Sequence, residues 1–227
     1  MSRLSSTDTP TEEEAAPEVD TARNELVARF TAHLGEGLLE SHVDPGVDVW
    51  LRVSRESWLE AAEFAKSGLG FGYFSFLSGI DWMPSPFGRD MDSSIDVALG
   101  NDERSEIDQT IQHGVAGGTG RFQVFARLND VVNGLGITLK VDLGDDLTVD
   151  SWVAVYPGAN WHEREAAEMY GFSFTGHPGL RPLYLPSEFE GHPLRKDYPL
   201  LARQMKPWPG IVDVEKMPGD DDEGDDS

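Results

Sequence analysis

The sequence predicts an α+β domain over residues 21–172, followed by an extended arm over residues 173–212. Several short segments alternate between apolar and polar residues, which is typical of half-buried strands. Other segments carry apolar residues at helical spacing. No strand–helix–strand period repeats along the chain, which argues against a doubly wound sheet. We therefore expect a mixed, mainly antiparallel sheet of four or five strands, with two or three helices packed on one of its faces.

The domain is predicted to begin with a helix and a strand. Apolar residues recur at helical spacing from Asp20 or Thr21 onward, until Gly35 and Gly37 interrupt the pattern. A half-buried strand is predicted over residues 47–53, because every second residue there is valine or leucine. The apolar residues of the helix are Leu26, Val27, Phe30 and Leu34.

The next segments predict a second helix, a strand and a loop. The helix is expected to run from a Ser54 cap to about Lys66, and Gly68 ends it. Residues 71–82 are predicted to form a strand whose aromatic side chains lie in the core rather than stack on bases. Residues 83–119 have no period, so we expect an exposed, partly mobile loop or insertion. Its VAGGTG stretch lacks the Lys-Ser or Lys-Thr ending of a phosphate-binding loop.

Two further segments predict a hairpin. Residues 121–129 and 136–143 each place apolar side chains on one face. The link between them contains Asn133-Gly134, a dipeptide that favours a tight turn because both residues tolerate positive φ angles. A third strand-like run, residues 151–157, is predicted to lead directly into the next helix.

That helix is predicted over residues 161–170. Asn160 is the expected N-cap, and Glu163 follows three residues later, where its carboxylate can complete a capping box. Gly171 is expected to end the helix. Beyond it, prolines, glycines and large apolar residues are spread without any period. Such a segment cannot fold on itself, so we expect an arm that lies on another protein surface.

Composition excludes several classes of protein. The chain has 227 residues, a formal charge of −23 and no cysteine. Without cysteine it offers no disulfide, no thiolate zinc site and no thiolate ligands for an iron–sulfur cluster. The acidic charge disfavours nucleic acid and anionic membranes as partners. The acidic residues 1–20 and 213–227 are predicted to be disordered. No signal peptide or membrane span is predicted, so we expect attachment to a membrane only through partners.

Three histidines raise the question of a metal site. His162, His177 and His192 recur at intervals of fifteen residues, and three imidazoles can hold a catalytic zinc ion. However, two of them stand in Gly-His-Pro turns, where histidine supplies a turn hydrogen bond. The HExxH pattern of zinc proteases also fails, because Ala166 stands where the second histidine is needed. We therefore favour turn histidines over a free-standing metal-dependent hydrolase.

Two charged groups are candidate contact sites. The carboxylates of Glu163, Glu165 and Glu168 accompany Arg164 on the last helix, and no pocket is implied around them. We interpret them as a solvated or partner-facing surface. The second group is residues 195–197, which lie among apolar residues. We expect this group to be buried against a partner, where an arginine fork fixes the register of an interface.

The segment EREAAEMYGFSFTGHPGLRPLYLPSEFEGHPLRKDYPL closely resembles the signature of the C subunit of the proton-pumping NADH-quinone oxidoreductase, the 30 kDa subunit family of respiratory complex I. The family pattern reads E-R-E-x-x-D-M-F-G, then G-H-P-x-L-R-R, then G-H-P-L-R-K-D-Y-P. The chain departs from it at Glu168 and Tyr170, and at Pro182, where a second arginine is usual. The residues that match are Glu163, Arg164, Glu165, Met169, Gly171, Gly176, His177, Pro178, Leu180, Arg181 and the run 191–199.

The resemblance implies a structural subunit in the hydrophilic arm of the complex, peripheral to the cell membrane on its cytoplasmic side. It implies the D subunit, which helps form the quinone pocket, as the chief partner, together with neighbouring iron–sulfur subunits. FMN and iron–sulfur clusters would be held by those partners, and no catalytic, cofactor-binding or metal-binding residue is expected in this chain. An equivalent subunit of a membrane-bound hydrogenase or related dehydrogenase complex is the alternative. The expected partner contacts are Glu163, Arg164, Glu165, His177, Arg181, His192, Arg195, Lys196, Asp197 and Tyr198.

Overall fold

A computed structural model describes residues 20–84 and 110–198, and within them the predicted α+β fold class is confirmed. Five strands form one sheet in the order β1-β2-β5-β4-β3, and two short strands form a second sheet, β6-β7. The strands are β1 (Leu38–Asp44), β2 (Asp48–Val53), β3 (Tyr73–Asp81), β4 (Phe122–Asp130), β5 (Leu135–Asp142), β6 (Thr148–Asp150) and β7 (Ser173–Thr175). The α-helices are α1 (Thr21–Leu34), α2 (Trp58–Glu63) and α3 (Ala159–Tyr170).

The main sheet is mixed, as predicted. Its β1–β2, β3–β4 and β4–β5 pairs are antiparallel, whereas β2 and β5 run parallel. The β4–β5 hairpin is confirmed, and Gly134 has a positive φ of 65° in its turn. This turn lies at one end of the sheet. The opposite end, where β3 finishes and β4 begins, is the end that the C-terminal arm contacts through Lys196.

The core lies between one face of this sheet and the helices. Alternate residues of the four adjacent strands β2, β5, β4 and β3 are fully buried, among them Leu51, Leu139, Ala126 and Leu77. The predicted first helix is confirmed and contributes Phe30, which is also fully buried. Burial of alternate residues on this face is the physical origin of the period-2 pattern in the sequence, and the central strand β5 is buried on its other face as well.

Two stacked tryptophans pack the segment that follows β6 against α2. The rings of Trp58 and Trp152 lie 4.1 Å apart, and the indole N–H of Trp152 donates to the carbonyl of Trp58 at 3.2 Å. The strand predicted over residues 151–157 is wrong, because this segment forms turns. The backbone N–H of Tyr156 donates to the carbonyl of Trp152 at 2.7 Å, which bends the chain instead of extending it.

Other local predictions also need correction. The sequence pattern does not predict strand β1, because its residues are mostly exposed and lack a clear alternation. Val47 precedes β2 and is exposed, so its prediction as a buried strand residue is wrong. The second helix begins at Trp58 with Ser57 at its N-cap, so the predicted Ser54 cap is wrong. The helix then widens into a π-helical turn over Phe64–Gly68, which ends at the predicted glycine.

The predicted loop over residues 83–119 is described only in part. Residues 110–119 contain no helix or strand, as expected for an irregular segment. Ala116 within it is buried, however, and the ammonium group of Lys140 donates to the carbonyl of Gly117 at 2.6 Å. This part of the loop is therefore attached to the sheet.

The predictions for residues 1–19, 85–109 and 199–227 lie outside the described residues. In the ranges that the structure describes, no helix is long and apolar enough to cross a membrane.

Candidate partner-binding site

The last helix, α3, carries the first residues of the signature, and the arm that carries the rest contacts it. It begins at Ala159, two residues earlier than predicted, with Gly158 at the N-cap position and no side-chain cap. The predicted Asn160 cap is therefore wrong. Gly171 ends the helix as predicted, in the left-handed conformation with φ 76°. A Cβ atom there would lie 2.5 Å from the His192 ring, so the position requires glycine for space as well.

Glu163 lies on the inner side of α3 and is 0% exposed. Its carboxylate oxygens accept hydrogen bonds from the hydroxyl of Ser151 at 2.5 Å and from the backbone N–H of Trp152 at 2.6 Å. The prediction that it lies on a solvated or partner-facing surface is wrong, and so is the capping box. Burial raises the pKa of Glu163 to about 7, because these two donors offset only part of the cost of removing the charge from water.

Glu168, near the end of α3, holds the arm against the helix. Its carboxylate accepts three backbone N–H groups, from Leu183 at 3.1 Å, Tyr184 at 2.9 Å and Leu185 at 2.8 Å. Desolvation works to raise the pKa of Glu168, but the hydrogen-bond donors outweigh it and the pKa is lowered. The carboxylate therefore stays charged at neutral pH and binds a turn of the arm.

Arg164 binds the same stretch of the arm from another position on the helix. Its guanidinium donates to the carbonyl oxygens of Arg181 and Pro182, both at 3.0 Å. It also lies 5.6 Å from the ring centroid of Trp161. Proline at position 182 is compatible with this contact, because the arginine binds a backbone carbonyl and not a side chain.

The arm also caps the C-terminus of α3. The last four carbonyl groups of a helix lack partners inside the helix. Here the first of them, that of Ala167, accepts the N–H of Gly171 at 2.9 Å. The next three are bound by the His192 ring at 2.8 Å, the Leu194 N–H at 3.1 Å and the Arg195 guanidinium at 2.6 Å, respectively. The arm thus satisfies three carbonyls that the helix cannot satisfy itself, and Arg195 places a cation at the negative end of the helix dipole.

These contacts correct the prediction of an arm that lies on another protein surface, because the arm lies on its own domain. Residues 173–175 form strand β7, which pairs with β6, and the segment that follows folds back over α3. The charged group 195–197 also makes contacts within the chain, since Asp197 forms an ion pair with Arg121 at 2.9 Å. The group therefore has binding partners in its own chain, and its burial against another subunit stays a prediction.

The histidines take part in packing and turns. The ring of His162 lies edge-on to that of Phe74, with centroids 5.4 Å apart. Both ring nitrogens of His177 have partners, the carbonyl of Asn160 at 3.2 Å and the N–H of Gly179 at 2.9 Å. Among residues 20–84 and 110–198, no group of three or more His, Cys, Asp or Glu side chains is arranged to hold a metal ion.

Several large apolar side chains of α3 and the arm are exposed. No residue of the segment 176–198 is buried, although many of them bind α3. Exposed apolar side chains of this size are candidates for contact with another protein. We define the outer apolar face as the large exposed side chains of α3 and the arm, which are Trp161, Leu180, Tyr184, Phe189 and Leu194. Of the ten predicted contact residues only Glu163 is buried. Arg181, Lys196 and Asp197 are exposed, and the other six are half-buried.

Two residues outside the signature also hold the arm, and the sequence pattern does not predict them. Asp81 ends β3 and Arg121 directly precedes β4, and both contact residues 196–197, which lie at the end of the described part of the arm and are called its end below. They lie 40 positions apart in the sequence, so only the β3–β4 pairing brings them together. The sequence feature that could have predicted this pair is an acidic residue at the end of one strand together with an arginine just before the strand that pairs with it.

Comparison with known proteins identifies the family. Residues 51–204 match the family described as "Respiratory-chain NADH dehydrogenase, 30 Kd subunit". The chain therefore belongs to the family of the 30 kDa subunit of respiratory-chain NADH dehydrogenase.

Two curated relatives carry related names. The chain is 35% identical over 208 residues to the C/D subunit of NADH-quinone oxidoreductase from Chromohalobacter salexigens, a match that covers 90% of this chain and 30% of that protein. It is 52% identical over 79 residues to the C subunit of the same enzyme from Xanthobacter autotrophicus, covering 35% of this chain and 38% of the relative. Each match thus spans well under half the length of the relative.

A solved structure has a similar fold. It is a chain from the membrane-bound sulfane sulfur reductase, an archaeal respiratory membrane complex, with a TM-score of 0.54. The two chains are 18% identical, and the similarity covers 79% of this chain and 86% of that one. At this identity the likeness shows the fold alone.

Proposed function

We propose that this chain is a structural subunit of the hydrophilic arm of NADH-quinone oxidoreductase, and that its outer apolar face docks on the quinone-site subunit, which is the D subunit. The single observation that carries the proposal is the family match over residues 51–204, because this range includes most of the domain and most of the arm. In the whole complex, electrons would pass from NADH through FMN and iron–sulfur clusters to quinone, coupled to proton translocation. This chain would contribute by positioning its neighbours.

The geometry of the arm supports such a role. The arm is held by α3 largely through backbone groups, so its large apolar side chains are left on the outside. A segment that is already ordered loses less conformational entropy when it binds, which favours association. The name of the relative from Chromohalobacter salexigens joins C and D in one protein. A fusion of this kind is consistent with contact between the two subunits.

We place the redox groups in other subunits. Iron–sulfur clusters are held by cysteine thiolates, and this chain has no cysteine. We accordingly propose that the chain is not catalytic by itself and that it reaches the cytoplasmic side of the cell membrane through its partners. The alternative of a hydrogenase-type complex has less support, because the structural likeness to the sulfane sulfur reductase carries no more than the fold.

The test is removal of the arm from the full chain. Deleting residues 176–200 is expected to leave the domain folded, because no residue of 176–198 is buried. Recovery of the quinone-site subunit with the tagged chain from detergent-solubilised membranes is expected to fall at least tenfold. Deleting residues 213–227 instead is the control, and we expect normal recovery. Undiminished recovery of the quinone-site subunit with the arm-deleted chain would refute the proposal.

A further inference from the structure

The carboxylate of Asp81 is the meeting point of the sheet and the end of the arm. Its side chain is 0% exposed. It accepts two hydrogen bonds from the Arg121 guanidinium, at 2.9 and 2.7 Å, and one from the backbone N–H of Met83 at 3.0 Å. The fourth donor is the backbone N–H of Lys196 in the arm, at 2.8 Å. A buried carboxylate with four donors is fully satisfied, and one of those donors belongs to the arm.

Arg121 extends this contact to a second residue of the arm. Its guanidinium lies between Asp81 and Asp197, and it reaches Asp197 at 2.9 Å. It also packs over the ring of Phe122, 4.5 Å from the centroid, which limits its rotation. The side-chain hydrogen bond from Arg121 lowers the pKa of Asp197, so this carboxylate stays charged.

We propose that Asp81 and Arg121 are a positioning pair that fixes the end of the arm on its own domain before any partner binds. This inference rests on the proposed function, since it assigns the pair the task of presenting the outer apolar face. Helix α3 holds the middle of the arm at Glu168 and its later part at residues 192–195. The pair holds residues 196–197 at a different site, the β3–β4 end of the sheet. Because the arm is bound both at α3 and at this end of the sheet, its direction across the domain is fixed as well as its position.

The test is Asp81→Asn in the full chain, read by amide hydrogen exchange. Asparagine is uncharged and keeps one acceptor oxygen. It can replace either Oδ2, which accepts from Arg121 and Lys196, or Oδ1, which accepts from Arg121 and Met83, but not both. Any bond from Lys196 that it keeps is weaker, because the acceptor no longer carries a charge. We expect the Lys196 amide to exchange about ten- to a hundredfold faster, the range expected when a hydrogen bond to a charged group is lost. The amides of β4 and β5 should exchange at the wild-type rate. Exchange at Lys196 within twofold of the wild type would overturn the proposal.

Asp146→Asn is the matched control. Asp146 also binds one arginine through two hydrogen bonds, to Arg55 at 2.8 and 2.7 Å. Its backbone carbonyl accepts from Thr148, which is likewise outside the arm. Exchange at Lys196 should be unchanged in this variant.

A second variant decides the matter if Asp81→Asn does not fold. Asp197 is exposed on the surface, so Asp197→Asn should leave the domain folded. We expect several-fold faster exchange at Lys196 and Tyr198, because the ion pair with Arg121 is lost. No change at these two amides overturns the proposal.

A further measurement separates this inference from the proposed function. Tagged wild-type and Asp81→Asn chains are purified from solubilised membranes, and the recovered quinone-site subunit is quantified. Faster exchange at Lys196 together with reduced recovery supports both proposals. Faster exchange with no quinone-site subunit bound to either chain supports the positioning pair and refutes the docking partner. If the wild-type and Asp81→Asn chains recover equal amounts of the quinone-site subunit, the pair is not needed to present the outer apolar face, and that part of the inference is overturned.

Discussion

Replacing Glu163 by glutamine is expected to make the folded chain about 3 kcal/mol more stable than the wild type at pH 8, and equally stable near pH 4. The carboxyl is fully buried, and neither of the two groups that donate to it is a cation. Glutamine can reproduce both hydrogen bonds, because its oxygen accepts from the Trp152 N–H and its amide N–H₂ donates to the Ser151 hydroxyl. It carries no charge, so it avoids the desolvation cost.

The sign of this pH dependence follows from the direction in which the pKa moves. The pKa of Glu163 is raised from 4.5 to about 7 in the folded chain. The folded state therefore binds a proton more tightly than the unfolded state does. The stability that this group contributes is fully present below about pH 4.5 and is lost as the pH rises through about 7. A pKa difference of 1 between the two states corresponds to about 1.4 kcal/mol, so a rise of this size gives roughly 3 kcal/mol.

Urea unfolding of both chains between about pH 4 and pH 8.5 measures this difference. The quantity of interest is the free energy of unfolding of the variant minus that of the wild type, because the other carboxylates contribute equally to both. Glu165→Gln is the matched control, since Glu165 lies on the same helix but is only half-buried. We expect its free energy of unfolding at pH 8 to differ little from that of the wild type, because this side chain is not removed from water. A difference for Glu163→Gln that does not change with pH would mean that Glu163 is not titrating near neutrality.

Replacing Tyr184 and Leu194 together by serine is expected to weaken binding of the quinone-site subunit by about a hundredfold or more. These side chains are 61% and 48% exposed and lie on the outer apolar face. Loss of a large apolar contact at the centre of an interface costs about 1 to 3 kcal/mol per side chain. The backbone N–H groups of both residues still bind α3 after the change, so the arm should stay in place.

The same substitution should leave the free energy of unfolding within about 0.5 kcal/mol of the wild type, because neither side chain is in the core. The matched control is serine at Val131 and Val132, which are 74% and 93% exposed in the hairpin turn at the other end of the sheet. Binding can be measured by titrating the quinone-site subunit onto the immobilised chain. Equal affinities for the wild type and the arm variant, with both chains folded, would show that this face is not the docking surface.

The parts of the fold that could be predicted from sequence are those governed by local rules. The β4–β5 hairpin follows from two alternating segments and an Asn-Gly turn. The end of α3 follows from Gly171, since a left-handed residue is the common way to finish a helix. Helix α1 follows from its apolar spacing. The structure adds that Asp20 caps it, since its side chain accepts the Arg23 N–H at 3.0 Å.

The parts that could not be predicted depend on contacts between distant residues. Nothing near Glu163 in the sequence shows that its partners are Ser151 and Trp152, so the local capping rule gave the wrong answer. The position of the arm on α3 could not be predicted either, because three of the groups that the arm binds there are backbone carbonyls. Every residue has a backbone carbonyl, so the sequence does not show which carbonyls bind the arm.

The charged residues of the signature illustrate both cases. Arg164 and Glu168 lie on the accessible side of the helix, as their spacing predicts, yet they bind the arm of the same chain. The expectation that the arm also contacts another subunit comes from the family match and not from the geometry of these residues. The structure in turn indicates which side of the arm is available, because one side is occupied by α3.

Photo-crosslinking from single positions, in cells that assemble the complex, reports contacts of the arm without disturbing its fold. A photoreactive amino acid is placed at Tyr184, at Leu194 or, as the control, at Val132, and the adducts are identified by mass spectrometry. We expect adducts with the quinone-site subunit from the two arm positions and none from the hairpin position. Absence of any adduct with another subunit from Tyr184 and Leu194, in membranes that retain the chain, would contradict the claim that the arm presents a docking surface.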